Sequence, residues 1–496
     1  MRHSRCRTLA VLSGAVLAVG SLALGAPQVG AQRANSPAPT PAYPTAPVPD
    51  PLLNPTASPI APDEPTARTN VACVQASPNS TGELTQAPWA QAQLRFEDAW
   101  PLSTGAGVRV AVIDTGVNVH PRFGNRVQAG GDYVSNTPGT TDCDGHGTIV
   151  AGIVGAAPDP THRSAFAGVA PEATIISIRQ TSKYYDEVTR QSGDEPGYGN
   201  LSTLARSVMR AVDLNAKVIN ISEAACGPAT RRLPDGALGA ALKYAADHDV
   251  VVVAAAGNTG GPDSGTCKEQ NARSPAQPGV PGRSAVTTIA SPAWYSDYVL
   301  AVGAVARDGS PSKFSLAGPW VGVGGPGEDI TSLDPAPAAT GLSNRLAETP
   351  GTMLGPIQGT SFAAPYVAGT AALVRARFPA LSAKQVVQRI KATAHTPAGG
   401  WSPTVGYGMV DPVAAVSDVL PADVTAQSAR NGAAQVAPPV PALAPNTTPR
   451  TVAFAGSAAA LAAVAAVLVT FAVLDATRRH RRRTAGGPTH RSAGGS

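Results

Sequence analysis

Between residues 108 and 256, short apolar runs alternate with stretches of helical pattern, and this alternation leaves few folds open. Residues 108–114, 173–178, 217–222 and 250–256 are rich in Val, Ile and Ala. Runs that are apolar on both faces belong in a sheet covered from both sides. Residues 201–214 and 236–247 lie between them and carry helical patterning. Strands and helices in turn predict an α/β fold of three layers, with a mainly parallel central sheet and helices on both faces. In such sheets the carboxyl ends of the strands are where sites are built. Residues 184–200 interrupt the alternation with polar residues and glycines, and read as a surface loop.

Three short stretches place reactive side chains at the expected ends. The first strand closes on Val112-Ile113-Asp114-Thr115-Gly116, an acid followed by a turn glycine. In Asp144-Gly145-His146-Gly147-Thr148 a histidine bracketed by glycines opens a small-residue helix, which puts it on the first turn. In Gly359-Thr360-Ser361-Phe362-Ala363-Ala364-Pro365 a tight turn delivers Ser361 to the start of an Ala-rich helix. There the unpaired N–H groups and the helix dipole favour a developing negative charge. Serine is a poor nucleophile at neutral pH, so it needs a base and a group that orients the base. His146 and Asp114 are the candidates. His120, beside Pro121, reads as a loop residue, because geometry rather than residue type makes a base.

The order Asp, His, Ser, each in this local context, resembles the subtilisin-like serine proteases, the subtilases. A fourth match is Ala255-Ala256-Gly257-Asn258, and weaker echoes extend the resemblance over roughly residues 100–415. The resemblance implies a serine endopeptidase with Asp114, His146 and Ser361 as catalytic residues, Asn258 as an oxyanion donor, and no required cofactor. It leaves a structural calcium open; no phosphate loop, zinc helix or EF-hand spacing is present, and no metal ligands are expected. It also implies that an extended substrate lies between Ser222-Glu223-Ala224 and Ala255-Ala256-Gly257. The usual family pattern in the first segment is Ser-Leu-Gly, so Glu223 and Ala224 depart from it and argue for a narrower substrate range.

The rest of the chain predicts export and anchoring. Arg2, Arg5 and Arg7 precede an apolar stretch and the small-residue site Val29-Gly30-Ala31, which marks residues 1–31 as a signal peptide. Residues 32–100 form a Pro-rich extension that turns more globular after residue 71, and 101–415 are the peptidase domain. A Pro/Ala-rich linker, 416–452, leads to 453–474, which carries no charge and one glycine. At about 1.5 Å per residue that stretch spans a bilayer core. Arg478, Arg479, Arg481, Arg482 and Arg483 follow, so 475–496 is a cytoplasmic tail and the catalytic domain is extracytoplasmic at the cell membrane. The formal charge of +5 comes from these basic ends; without them the chain is mildly acidic, and nucleic acid is not an expected partner.

An exported subtilase with this extension and this anchor resembles a mycosin, the membrane-anchored protease of type VII secretion systems. The resemblance implies protein substrates and partners among the secretion components. Two other readings are a structural stabiliser of the secretion complex in which proteolysis is secondary, and a general secreted subtilase. Cys73, Cys143, Cys226 and Cys267 remain after export, in a compartment that favours disulfides. Four cysteines allow three pairings. In subtilases the strands at 217–222 and 250–256 are neighbours, which implies Cys226 with Cys267 and leaves Cys73 with Cys143.

Overall fold

The computed structural model describes residues 46–50, 53, 55–74, 76–77, 84–191, 196–260, 267–271, 286–347, 353–398, 400–420 and 464–479. The expected signal peptide, most of the linker, the first half of the 453–474 segment and most of the basic tail lie outside them. Among the described residues no helix is long and apolar enough to cross a membrane.

Seven parallel strands make the central sheet: β1 (Arg109–Asp114), β2 (Val127–Asp132), β3 (Thr174–Arg179), β4 (Val218–Ile221), β5 (Val251–Ala255), β6 (Val299–Val305) and β7 (Val321–Pro326). Their order is β7-β6-β5-β4-β1-β3-β2. Six of them are buried along nearly their whole length, as strands covered on both faces require, and only the edge strand β2 is not. Successive side chains of β1 feed two cores. Val110 and Val112 pack with α1 (His146–Gly155) and α4 (Thr360–Arg377). Ala111 and Ile113 pack with α2 (Leu201–Asp213) and α3 (Gly236–Asp247) on the other face. This is an α/β fold of three layers, with helices on both faces of a parallel sheet, as the alternation of runs predicts. The helices α5 (Ala383–Thr393) and α6 (Pro412–Ser417) complete the first face, and α6 carries the packing beyond residue 415, with Val416 buried.

Strand order sets the site. From β1 the chain crosses to the sheet edge to lay β2, comes back to insert β3 between β2 and β1, and then places β4 on the other side of β1. The ends of β1 and β4 therefore flank the point where the order reverses, the usual position of a binding crevice in an open α/β sheet.

The N-terminal extension is woven into this domain. Thr66–Arg68 pairs antiparallel with Tyr185–Glu187, and Ala76–Ser77 pairs with Arg345–Leu346. The 184–200 stretch is thus not a plain surface loop: Tyr184 is buried and the next three residues form a strand. Its partner strand lies far away in sequence, so no local pattern announces it. Cys73 is bonded to Cys143 and Cys226 to Cys267, with Cα separations of 4.7 and 4.9 Å. Further along, Leu94, Phe96 and Ala99 enter the main core. Trp89 and Trp100 donate their indole N–H groups to the carbonyls of Glu328 (2.8 Å) and Val169 (3.0 Å). His120 caps a short turn, accepting from the Arg122 N–H at 3.1 Å, with Nε2 3.1 Å from the Gly341 carbonyl.

Candidate active site

Asp114 is the last residue of β1 and is fully buried. His146 is the first residue of α1, and its Nδ1 lies 2.6 Å from Asp114 Oδ1. Such an approach of helix to strand requires Gly147. A Cβ there would sit 2.0 Å from the Gly116 carbonyl oxygen and 3.1 Å from the Asp114 Cβ. Local bonds fix the junction. Asp142 accepts from Thr115 Oγ1 (2.9 Å), the Gly145 N–H (2.7 Å), and the Thr148 N–H and hydroxyl (2.8 and 2.7 Å). Thr115 Oγ1 in turn accepts from the Gly147 N–H at 2.9 Å. Thr115, Asp142 and Thr148 are positioning residues that the sequence reading passed over. Their signal was present in the same motifs, as hydroxyl and carboxylate groups beside the two reactive residues.

Ser361 enters from the opposite side, in the first turn of α4 after Gly359, whose φ of 148° disfavours any side chain. A Cβ on Gly359 would lie 3.0 Å from Ser361 Oγ and 3.4 Å from Asn258 Nδ2. The serine hydroxyl and the amide nitrogen therefore face one small space. The Asn258 amide cannot be turned over: its Oδ1 accepts from both the Thr360 N–H and the Thr360 hydroxyl. Ser222, just past β4, donates its hydroxyl to the Ser361 carbonyl at 2.8 Å and accepts from Asn220 Nδ2 at 2.8 Å. The Phe362 ring packs on the His146 ring, with centroids 4.8 Å apart.

His146, Asn258, Thr360, Ser361 and Phe362 line one cleft of about 600 Å³. Ser222, Glu223, Ala224, Ala255 and Gly257 line it too, whereas Ala256 faces away, its N–H bonded to the Val302 carbonyl. Val74, Leu346 and Ala347 add an apolar edge, so the extension contributes to the wall. Lys183, and Tyr184 from the segment read as a loop, form another part of it.

The electrostatics are unusual in one respect. Burial alone would lower the His146 pKa, but the Asp114 carboxylate, with Glu223 and Asp142 behind it, holds it up to about 9. Glu223 is pushed up to about 7 by burial, against the pull of His146 and with Asp114 adding to the rise. A carboxylate oxygen of Glu223, one of Asp114 and a ring nitrogen of His146 lie within 4.8 Å of one another. Asp144, also on the cleft, is raised to about 6 by burial and by Asp142.

The arrangement has known counterparts. Residues 105–408 match the Subtilase family, Peptidase S8. Mycosin-4 of Mycobacterium tuberculosis is 49% identical over 416 residues, covering 83% of this chain and 87% of its own. The solved structure of the MycP3 protease from the type VII (ESX-3) secretion system is 44% identical, with a TM-score of 0.67 over 75% of this chain and 99% of that one. A chain in the structure of an intact ESX-5 inner membrane complex is 38% identical, with a TM-score of 0.69 over 86% of this chain and 99% of that one. A buried acid on a strand end, a histidine on a helix start and a serine on a second helix start thus sit in a fold and a sequence shared with these proteins, and the chain belongs to the subtilase family as a serine endopeptidase of the mycosin kind.

Proposed function

We propose that this chain is a membrane-anchored, extracytoplasmic endopeptidase that cleaves selected exported proteins in association with a type VII secretion complex. The observation that carries the catalytic part is the 2.6 Å contact of His146 with Asp114 in the cleft that also holds Ser361 and Asn258. His146 takes the proton of Ser361 as the hydroxyl attacks a peptide carbonyl. Asp114 holds the imidazole tautomer and offsets its charge. The Asn258 amide and the Ser361 N–H receive the oxyanion, and helix α4 points its positive end at the same place. His146 then passes the proton to the leaving amine, and water releases the acyl group by the reverse path. Glu223 and Ala224 on the rim, with the apolar edge from the extension, narrow the cleft and restrict what enters.

The proposed layout is a signal peptide at 1–31, an extension at 32–100 that stays attached, a peptidase domain from 101 to about 415, a linker, an anchor at 453–474 and a basic tail at 475–496. Residues 464–479 are helical, and Val464, Leu468, Phe471 and Leu474 are exposed, as an anchor helix outside lipid would leave them. The likeness to a component of an ESX-5 inner membrane complex supports a place beside secretion components. It also favours a second reading, in which the protein stabilises such a complex and cleavage is secondary. One experiment separates them. Secretion in a Ser361→Ala strain is compared with secretion in a deletion strain. Equal defects tie the function to proteolysis, and secretion that survives only in Ser361→Ala assigns it to the protein's presence.

A further inference from the structure

The reactive histidine has more negative charge around it than a catalytic triad supplies. Strand β4 ends at Ile221, and the Ser222 hydroxyl is bonded to the Ser361 carbonyl at 2.8 Å. The next residue, Glu223, is therefore held at a fixed place relative to the nucleophile. Its carboxylate comes within 4.8 Å of the His146 ring nitrogen and of the Asp114 carboxylate. Charged groups reach the imidazole from several of the elements around it. Strand β1 supplies Asp114, and the turn before α1 supplies Asp142. The segment after β3 brings Lys183, which faces Glu223 together with Asp144. Helix α4 contributes only Ser361 and the Phe362 ring, and the 346–347 edge is apolar. Apart from Asp114, which every triad needs, Glu223 is the carboxylate with the largest hold on the imidazole.

We propose that Glu223 is a positioning residue for His146, a second carboxylate partner that favours the charged imidazole and so withholds the general base. A protonated imidazole cannot accept the Ser361 proton, so the enzyme is slow until the pH rises or the pairing is broken. Glutamate and histidine this close titrate as a pair, not as two separate groups. The Leu of the usual subtilase pattern would leave Asp114 as the close partner of the histidine. This inference rests on the triad reading above.

The test needs no knowledge of the natural substrate. The full-length protein is treated with phenylmethylsulfonyl fluoride, and the rate of sulfonylation of Ser361 is followed against pH by mass spectrometry. In that reaction Ser361 Oγ bonds to sulfur, fluoride leaves, and His146 takes the hydroxyl proton. In the wild type the rate should rise with pH through the alkaline range. In Glu223→Gln the midpoint should fall by about one pH unit, the scale for one close charge, with labelling at pH 7 about tenfold faster. Glu223→Leu should behave alike and serves if Glu223→Gln does not fold, as judged by thermal melting. An unchanged midpoint in a folded variant, with Ser361→Ala unlabelled, overturns the proposal and leaves the triad standing. A wild type unlabelled at every pH overturns the triad reading and this inference with it. A variant that alters only KM for basic peptides, with the acid limb unmoved, also overturns it and makes Glu223 a substrate contact.

Discussion

Thr360 holds the Asn258 side-chain oxygen with its backbone N–H and its hydroxyl, each at 2.9 Å. The same hydroxyl lies 3.2 Å from the Gly257 N–H as its acceptor. One threonine thus fixes both the strand-end turn and the direction of the amide that faces Ser361.

The amide direction leads to the first expectation. Ser361→Ala should lower peptide hydrolysis by at least ~10³-fold, and Asn258→Ala by ~10²–10³-fold in kcat, the scale for losing one oxyanion donor in subtilisin, a relative by fold. Wild-type turnover by purified Ser361→Ala would remove the serine from the mechanism.

Thr360→Val keeps the shape and deletes the hydroxyl. One hydrogen bond of about 1–1.5 kcal/mol then ceases to orient Asn258, and kcat should fall by roughly tenfold with KM little changed. Steady-state kinetics with a peptide substrate decide it; a rise in KM alone would mean that the hydroxyl serves the cleft and not the amide.

Gly147 permits the contact on which the base depends. In Gly147→Ala the new methyl meets the Gly116 carbonyl, and α1 must move away from β1. Stability should fall by about 1–3 kcal/mol, and activity by about 10²-fold from the misplaced imidazole. Urea unfolding and activity measured on one preparation would test both, and a fully active variant would show that the helix tolerates the shift.

The pH dependence follows from the charge balance at His146. Its proton is held up to about 9, so kcat/KM of the wild type should climb through neutrality and level off only in the alkaline range. Stability runs the other way. The folded value exceeds the ordinary imidazole value of 6.5, so the paired charge contributes fully below that pH. The contribution is lost as pH rises through about 9. Activity and melting profiles over pH 5–10, taken together, should therefore slope in opposite directions across this range.

Much of the site was legible because its parts are local. Asp114, His146, Ser361 and Asn258 each sit in a motif of a few residues whose glycines and hydroxyls serve the same geometry. The sheet was legible for a similar reason, since fully apolar runs have few places to go. The strand at Tyr185–Glu187 and the edge at Leu346 were not, because each is defined by a partner in the extension. Ala256 was placed on the substrate side by its motif, yet it is buried in the core on the α2 and α3 face. Glu223 was visible as a departure from a pattern, but its closeness to His146 depends on how β4 meets α4.

The disulfide between Cys73 and Cys143 anchors the extension three residues before His146. Cys73→Ser with Cys143→Ser should lower stability by about 2–4 kcal/mol. Non-reducing peptide mapping of the mature protein should recover the Cys73 peptide joined to that of Cys143. Recovery of a Cys73–Cys226 or Cys73–Cys267 peptide, or active enzyme lacking the Cys73 region, would contradict a retained extension.

Pairing of Ala76–Ser77 with Arg345–Leu346 also has a consequence for the order of assembly. Ser343 bonds to the Ser77 carbonyl across 266 residues of chain. A polypeptide that emerges N-terminus first presents residues 66–77 long before their partners exist. Contacts this distant in sequence carry a large loop-closure cost and form late. The rim of the cleft is therefore completed only once nearly the whole domain is out. The substrate channel gains its finished edge late in folding.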